Sequence, residues 1–172
     1  MRDVVSVDYI AAGLRNAVDA GVIERPRMIV PNHAIGSTGG YAESQDLPPN
    51  VAPPFWPVQG VCNGPDECRA AVRYQIKYGA TVIKFMPSGG VLSLTAPVDV
   101  PDLTQAEMDA IVSEVHTWGR KAAAHRHGDT AAKMAIQAGV DSIEHGTFLK
   151  DDTLEMMKDK GVYLVPTLYA SY

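Results

Sequence analysis

The segment Lys121–Gly146, KAAAHRHGDTAAKMAIQAGVDSIEHG, decides the fold. Two short, nearly apolar runs each end in a histidine that glycine closely follows, and the segment between them has helical spacing and stops at Ala138-Gly139. This order predicts a strand-helix-strand unit. Reactive groups collect at the carboxyl ends of buried parallel strands, so His125 and His145 should lie on one rim of a sheet. Neighbouring strands are about 4.8 Å apart, which suits a shared metal ion.

The order of helix, glycine and short apolar strand recurs along the chain. The glycines that end predicted helices are Gly21, Gly79, Gly119, Gly139 and Gly161. The other apolar runs are RMIVP (27–31), ATVIKFM (80–86) and VYLVPTL (162–168). Repeats of this kind predict an α/β protein with a parallel sheet, either a barrel or a doubly wound open sheet.

Local signals predict where the helices begin. The first helix is expected from about Asp8 to Ala20, and Pro65-Asp66 should open the second. A capping box of Thr104 and Glu107 should begin the third, and Asp151 or Asp152 should cap the last. The long segment between His33 and the second helix is rich in Gly and Pro, and we interpret it as a functional loop on the histidine rim.

Composition restricts the class of partner. The chain has 172 residues, 46% of them hydrophobic, which is typical of one globular domain. Its formal charge of −5 argues against nucleic acid or an anionic membrane and favours a small-molecule substrate. No apolar run approaches the roughly 20 residues of a membrane span, and residues 1–10 do not resemble a signal peptide. The compartment stays open.

Three other features predict no chemistry. Cys62 and Cys68 form no C-x-x-C pair, so we expect two thiols near a helix start rather than a zinc knuckle. His116 lies beside a helical stripe, away from the strand ends. The glycine turns at 37–40 and 88–90 lack the spacing of a phosphate-binding loop.

Lys84 lies inside the apolar run VIKFM (82–86), where an unpaired ammonium would be costly to bury. One interpretation is a lysine paired with a carboxylate or pointing outward at an edge strand. The other is an amine that burial deprotonates for covalent use, as a Schiff base or as a carbamate that supplies oxygens to a metal.

His125, His127 and His145 have two interpretations as well, because buried imidazoles often only hydrogen-bond to the backbone. Residues i and i+2 of a strand point the same way, so His125 and His127 should face one side. Together with Lys84, these histidines predict a divalent metal centre, with zinc as the first candidate and one or two ions.

The segments VIKFMPSGGVLS (82–93), AAAHRHG (122–128), AGVDSIEHGTFL (138–149) and KGVYLVPTL (160–168) together resemble the metal-dependent amidohydrolase superfamily. They are most similar to its branch of imidazolonepropionase-like enzymes and Xaa-Pro dipeptidases. The resemblance covers the chain from Arg2 onward and implies a (β/α)8 barrel with metal at the carboxyl ends of its strands.

Residue roles follow from this resemblance. Lys84 corresponds to a carboxylated lysine on the fourth strand that bridges two metal ions. His125 and His145 correspond to ligands on the fifth and sixth strands, and His127 to a neighbour that contacts ligand or substrate. The segment TGGYAES (38–44) resembles a loop that often reads TGGH, so Tyr41 stands where histidine is common.

The implied reaction is hydrolysis of an amide or peptide C–N bond by metal-activated hydroxide, on a small-molecule or dipeptide-like substrate. The family's first-strand H-x-H pair is expected before Met1, and its general-base aspartate beyond Tyr172. A (β/α)8 barrel takes about 250 residues, so we expect residues 1–172 to be one incomplete barrel domain, strands two to seven, that is inactive alone. The alternatives are a catalytically dead binding or scaffold protein and a Schiff-base aldolase.

Overall fold

The computed structural model describes residues 1–6, 8–43, 48, 50–51, 60–93 and 96–168, and within them five helices accompany four parallel strands. The helices are α1 (Ile10–Asp19), α2 (Pro65–Lys77), α3 (Gln105–Thr117), α4 (Thr130–Gln137) and α5 (Asp151–Lys160). The strands are β1 (Val82–Phe85), β2 (Lys121–Arg126), β3 (Ser142–His145) and β4 (Tyr163–Val165).

The sheet has the order β1-β2-β3-β4, and every neighbouring pair is parallel. Each strand after β1 follows a helix, which confirms the predicted α/β class. In the register, Lys84 lies opposite Ala123, and His125 lies opposite Glu144. The carboxyl ends of the four strands therefore share one rim of an open sheet, as predicted for part of a (β/α)8 barrel.

The predicted strand RMIVP (27–31) and the segment 1–6 that precedes it form single bridges instead of regular strands. Arg2 and Ile29 make a parallel bridge between segments 1–6 and 27–35. Ile35 makes another parallel bridge, to the last residue of β1. The two segments therefore continue the parallel order of the sheet beyond β1, although their pairing is too short to be regular.

Side chains that alternate along the strands separate an apolar face from a polar one. The helix-facing residues Ile83, Phe85, Ala122, Ala124 and Ile143 belong to one buried core with side chains of α2, α3 and α4. Fully burying one such Ile or Phe side chain contributes about 1.5–3 kcal/mol. The opposite face carries Lys84, His125, Ser142 and Glu144, all of them buried. The helices thus hold the sheet by one face and leave the other for polar groups.

The helix starts agree in part with the prediction. α1 begins at Ile10 rather than Asp8, because Asp8 and Tyr9 adopt left-handed φ values of 51° and 58°. The capping box of α3 is confirmed: the Glu107 N–H donates to the Thr104 hydroxyl at 3.3 Å, and the Thr104 N–H donates to the Glu107 carboxylate at 2.7 Å.

The predicted aspartate cap of α5 is wrong. Its N-cap is Lys150, and both candidate aspartates lie in the first turn of the helix. Asp129, which precedes α4, supplies the acceptor instead. Its carboxylate accepts from the Lys150 N–H at 2.9 Å and from the Thr153 hydroxyl at 2.6 Å. A tertiary contact has taken the place of the local cap.

The two cysteines differ from the prediction, since Cys62 and Cys68 form a disulfide rather than two thiols. Cys62 lies three residues before α2 and Cys68 in its first turn, and their Cα atoms are 5.0 Å apart. That separation is within the usual range for a disulfide. Sequence spacing alone gave no information about this approach.

Two further predictions concern the position of His116 and the presence of a membrane-spanning helix. His116 lies on α3 and its Nε2 is 2.9 Å from Asp141, away from the strand-end rim, as predicted. Among the described residues, none of the helices has the length and apolar character needed to cross a membrane.

We expect Asp129 to stabilise the fold through its carboxylate. Burial alone would raise its pKa, but hydrogen bonds from Thr153, Lys150 and Lys133 outweigh burial and lower the pKa to about 2. Asp129→Ala should lower the free energy of unfolding by about 1.5–3 kcal/mol, the range for hydrogen bonds to a charged group. Urea unfolding at neutral pH measures this loss.

The pKa of the Asp129 carboxyl falls from its ordinary value of 3.8 to about 2 on folding. Its contribution to stability is therefore fully present at pH values above 3.8 and is lost as the pH falls toward about 2. The difference between wild type and Asp129→Ala should therefore shrink in acid. The exposed Glu155 on α5 gives the control, because Glu155→Ala should change stability by less than about 0.5 kcal/mol. Equal losses in the two variants would contradict the assigned role.

Candidate metal centre

Three histidines meet at the carboxyl ends of β2 and β3. The His125 ring centroid lies 5.1 Å from that of His127 and 4.7 Å from that of His145. The His127 and His145 rings are stacked, 4.7 Å apart and inclined by 8°. One nitrogen of each ring lies within 4.8 Å of the other two. The three side chains are therefore close enough to share one metal ion.

His145 reaches this cluster through an unusual backbone conformation. Glu144 and His145 are consecutive, so a regular strand would point them to opposite faces. His145 has a left-handed φ of 74°, which an L-residue adopts at a cost of about 1–2 kcal/mol. This conformation turns the ring toward the cavity while Glu144 keeps its place on the polar face. Backbone strain of this kind concentrates at functional sites.

Two threonines hold the histidine rings. His127 Nδ1 lies 2.9 Å from the Thr147 hydroxyl, and His145 Nδ1 pairs with the Thr167 hydroxyl. When Nδ1 is engaged in this way, Nε2 remains available to a ligand. His125 Nε2 is buried and has no hydrogen-bond partner among the described residues. The cluster thus offers three imidazole nitrogens.

Sequence reasoning missed both threonines. Thr147 follows the His-Gly pair that ends β3, and Thr167 follows β4. Both threonines follow the carboxyl end of a parallel strand. That position is a usable signal, because side chains at this edge of the sheet converge on one site.

Lys84 projects from β1 into the polar face and is 1% exposed. Its Nζ has no hydrogen-bond partner among the described residues. Burial lowers its pKa to about 7; Glu144 opposes this shift, and Arg2 adds to it. Glu144 is already engaged, since its carboxylate accepts from Arg2 at 2.7 Å and from the Ser142 hydroxyl at 2.8 Å. Within the described part of the chain, the buried amine therefore lacks a dedicated counter-charge, and it does not point outward.

These groups line one cavity of about 600 Å³, within the range of small-ligand sites. Polar lining comes from Lys84, the three histidines and the two threonines. The remaining lining residues are Val4, Val5, Tyr41, Met86, Val91 and Leu92. The cavity has the size and the mixed lining of a site for a small molecule.

The histidines are neutral at physiological pH. Burial, and then the charge of Lys84, lower the pKa of His125 to about 2 and that of His145 to about 4. Burial also lowers the pKa of His127. Neutral imidazole is the form that binds metal.

The other candidate residues lie in three different places. Tyr41 lines the cavity, and its ring centroid is 4.9 Å from that of His125. Arg126 is fully buried on the helix side of β2, away from the cavity lining. His33 does not join the cluster and packs edge-on against Tyr9, with centroids 5.1 Å apart.

The amidohydrolase family model matches residues 2–171. The chain belongs to the amidohydrolase family. This agrees with the resemblance carried by the lysine and histidine segments, and with a site at the carboxyl ends of parallel strands.

Individual relatives support the assignment. The chain is 34% identical to ochratoxinase of Aspergillus niger over 163 residues, which cover 88% of this chain and 34% of that protein. A crystal structure of a Xaa-Pro dipeptidase with bound methionine is 41% identical, with a TM-score of 0.94, over 98% of this chain and 42% of that one. A prolidase complexed with N-methylphosphonate-L-proline is 32% identical, with a TM-score of 0.82, over 97% and 41%. This amidohydrolase chain thus spans less than half the length of these relatives.

The depressed histidine pKa values predict that the metal-free amidohydrolase chain is sensitive to mild acid. Unfolded histidine has a pKa of about 6.5, whereas His125 and His145 have values of about 2 and about 4 in the fold. The unfolded state then binds more protons below about pH 6.5, so the free energy of unfolding should fall between pH 7 and pH 5. Urea unfolding with a chelator present measures this.

His125→Asn should reduce that loss, because one of the groups that must stay neutral is gone. Gln137→Ala, an exposed position on α4, is the control, because it changes no titratable group and should leave the loss unchanged. Equal stability of the wild type at pH 7 and pH 5 would contradict the prediction.

Proposed function

We propose that this protein is a metal-dependent hydrolase that cleaves an amide or peptide C–N bond in a small molecule. The observation that carries the proposal is the convergence of His125, His127 and His145 beside the unpartnered amine of Lys84 in one cavity. Family membership supports the reaction class.

The residues present fit a divalent metal. Neutral imidazoles together with oxygen ligands suit zinc and similar ions. His125 Nε2 and Lys84 Nζ are buried without a hydrogen-bond partner in the described part of the chain, as expected of groups whose partner is a ligand. We assign His125, His145 and carboxylated Lys84 as the groups that hold one or two ions. His127, assigned to the substrate, is close enough to serve as a further imidazole ligand.

Carboxylation of Lys84 explains why an amine stands in this position. With its pKa lowered to about 7, much of the amine is neutral at physiological pH. The neutral nitrogen forms a bond to the carbon of carbon dioxide and releases a proton, which gives an anionic carbamate. This change replaces an amine that has no dedicated counter-charge among the described residues with carboxylate oxygens that would hold a divalent ion.

A bound metal supplies an acidified water and polarises the scissile carbonyl. The chain's own residues prepare the site for this chemistry. Thr147 and Thr167 fix the orientation of two imidazoles through Nδ1. Met86 and Leu92 form part of the apolar lining against which a substrate would pack. Among the described residues we assign no general base.

The relatives suggest the substrate class. The structures similar to this chain include a dipeptidase with bound methionine and a prolidase with a proline phosphonate. A cavity of about 600 Å³ with apolar walls fits a dipeptide or an N-acyl amino acid. The formal charge of −5 argues against a nucleic-acid partner.

A hydrolysis assay with matched variants tests the function. Zinc-loaded protein that contains the complete barrel should release free amino acid from Xaa-Pro dipeptides or N-acyl amino acids, and a chelator should abolish the release, whereas residues 1–172 alone are expected to be inactive. His125→Ala removes an assigned ligand and should weaken zinc binding by more than about tenfold, with loss of activity. His116→Ala, outside the cluster, should leave both unchanged. Zinc and ligand binding without cleavage of any amide would contradict the proposal and favour the alternative of a binding protein.

The carbamate has its own test. Protein loaded with zinc and ¹³C-bicarbonate should show a carbamate carbon resonance that Lys84→Ala lacks and that Lys133→Ala retains. In the protein that contains the complete barrel, Lys84→Ala should also lose hydrolysis, and short carboxylic acids should restore part of it by supplying the missing oxygens. An unaltered hydrolysis rate in Lys84→Ala would remove the carbamate from the site.

A further inference from the structure

Arg126, the last residue of β2, is the feature of the structure that the hydrolytic site does not explain. Its side chain is fully buried on the helix side of the strand. Nη2 donates to the Gly128 carbonyl at 3.2 Å, whereas Nε and Nη1 have no hydrogen-bond partner among the described residues. A buried guanidinium is costly unless opposite charge surrounds it.

Three carboxylates supply that charge. Arg126 Nη2 lies 3.7 Å from Asp99 Oδ1, and the charges of Asp102 and Asp129 act on it as well. A guanidinium is charged at neutral pH, so the nearby carboxylates offset the cost of burying it. Surrounded in this way, Arg126 acts as a counter-ion for the segment 97–102 and is not a site for an anionic ligand.

Asp102 connects this segment to the cavity. Its Oδ2 accepts from the Tyr41 N–H at 3.2 Å. The Tyr41 ring lies between Gly90 and His125: a Cβ on Gly90 would be 2.6 Å from Tyr41 Cζ, and the His125 centroid is 4.9 Å away. Backbone and ring contacts therefore define the position of Tyr41 over an assigned metal ligand.

Asp99 attaches the same segment to the turn after β2. It accepts from the Thr130 N–H at 2.8 Å and from the Thr130 hydroxyl at 3.1 Å. A Cβ on Gly128 would lie 2.4 Å from Asp99 Oδ1, so only glycine allows this approach. The segment 97–102 is thus held tightly against the strand that carries His125.

We propose that Arg126 is a positioning residue, which holds Asp99 and, through the segment 97–102 that also carries Asp102, fixes Tyr41 against His125. Both faces of β2 then contribute to the site. His125 faces the cavity, and Arg126 on the opposite face anchors the segment 97–102. This inference goes beyond the hydrolytic function and rests on it only in treating His125 as a site residue.

Histidine-selective NMR of the metal-free protein tests the proposal. The Tyr41 ring lies 4.9 Å from the His125 ring, centroid to centroid, and is tilted by 34°. A nearby aromatic ring shifts the resonances of the His125 ring protons, so Tyr41→Leu should displace them and defines the effect of losing this ring. Arg126→Gln and Asp102→Ala should move the same resonances in the same direction. Glu114→Gln is the control, because it breaks a 2.7 Å ion pair with Arg73 between α2 and α3 and should leave them in place.

A general loss of stability does not produce this pattern, because the His116 resonances should not move in any of these variants. Asp102→Ala keeps the test valid if Arg126→Gln fails to fold. Unchanged His125 resonances in Asp102→Ala, or in Tyr41→Leu itself, would overturn the proposal. Because no metal or substrate is used, a failure here is distinct from failure of the hydrolysis assay.

Discussion

The two-residue period of parallel β-strands is the constraint on which the rest of this structure depends. It sends Ile83 and Phe85 to the helices and Lys84 to the opposite face. On β2 the same period separates His125 from Arg126. The apolar face of β1, β2 and β3 contributes the burial that holds the sheet, so the opposite face can carry groups that would be unfavourable elsewhere. A one-residue slip in any strand would exchange the two faces and destroy both the core and the site.

Most of the fold could be predicted because its signals are local. Helix, glycine and apolar strand alternate with little ambiguity, and the capping box of α3 forms as written in the sequence. Failures came where a distant group replaced a local one. Asp129 holds the start of α5 from another loop, and the disulfide between Cys62 and Cys68 depends on a fold-back before α2. Neither interaction leaves a periodic pattern that a sequence can show.

The site was predictable in its members but not in its geometry. The rule that reactive residues follow parallel strands identified His125 and His145. Strand alternation added His127, and the cost of burying an ammonium singled out Lys84; the structure places all four in one cavity. The sequence could not show that His145 needs a positive φ to reach it, because a histidine carries no mark of that conformation. Strand alternation also explains why Arg126, next to the inward-facing His125 on β2, faces the helices.

The interior ion pair of Arg2 and Glu144 explains how an open sheet keeps its polar face ordered. Arg2 lies in the N-terminal segment and Glu144 on β3, so their 2.7 Å contact crosses the concave side of the sheet. Ser142 accepts from the same guanidinium at 2.8 Å, which fixes it at two points. Because Arg2 satisfies Glu144, that carboxylate is not the dedicated partner of Lys84. The arrangement thereby leaves a buried amine with a pKa of about 7 beside three neutral imidazoles. A largely neutral amine is the form that can react to give a carbamate.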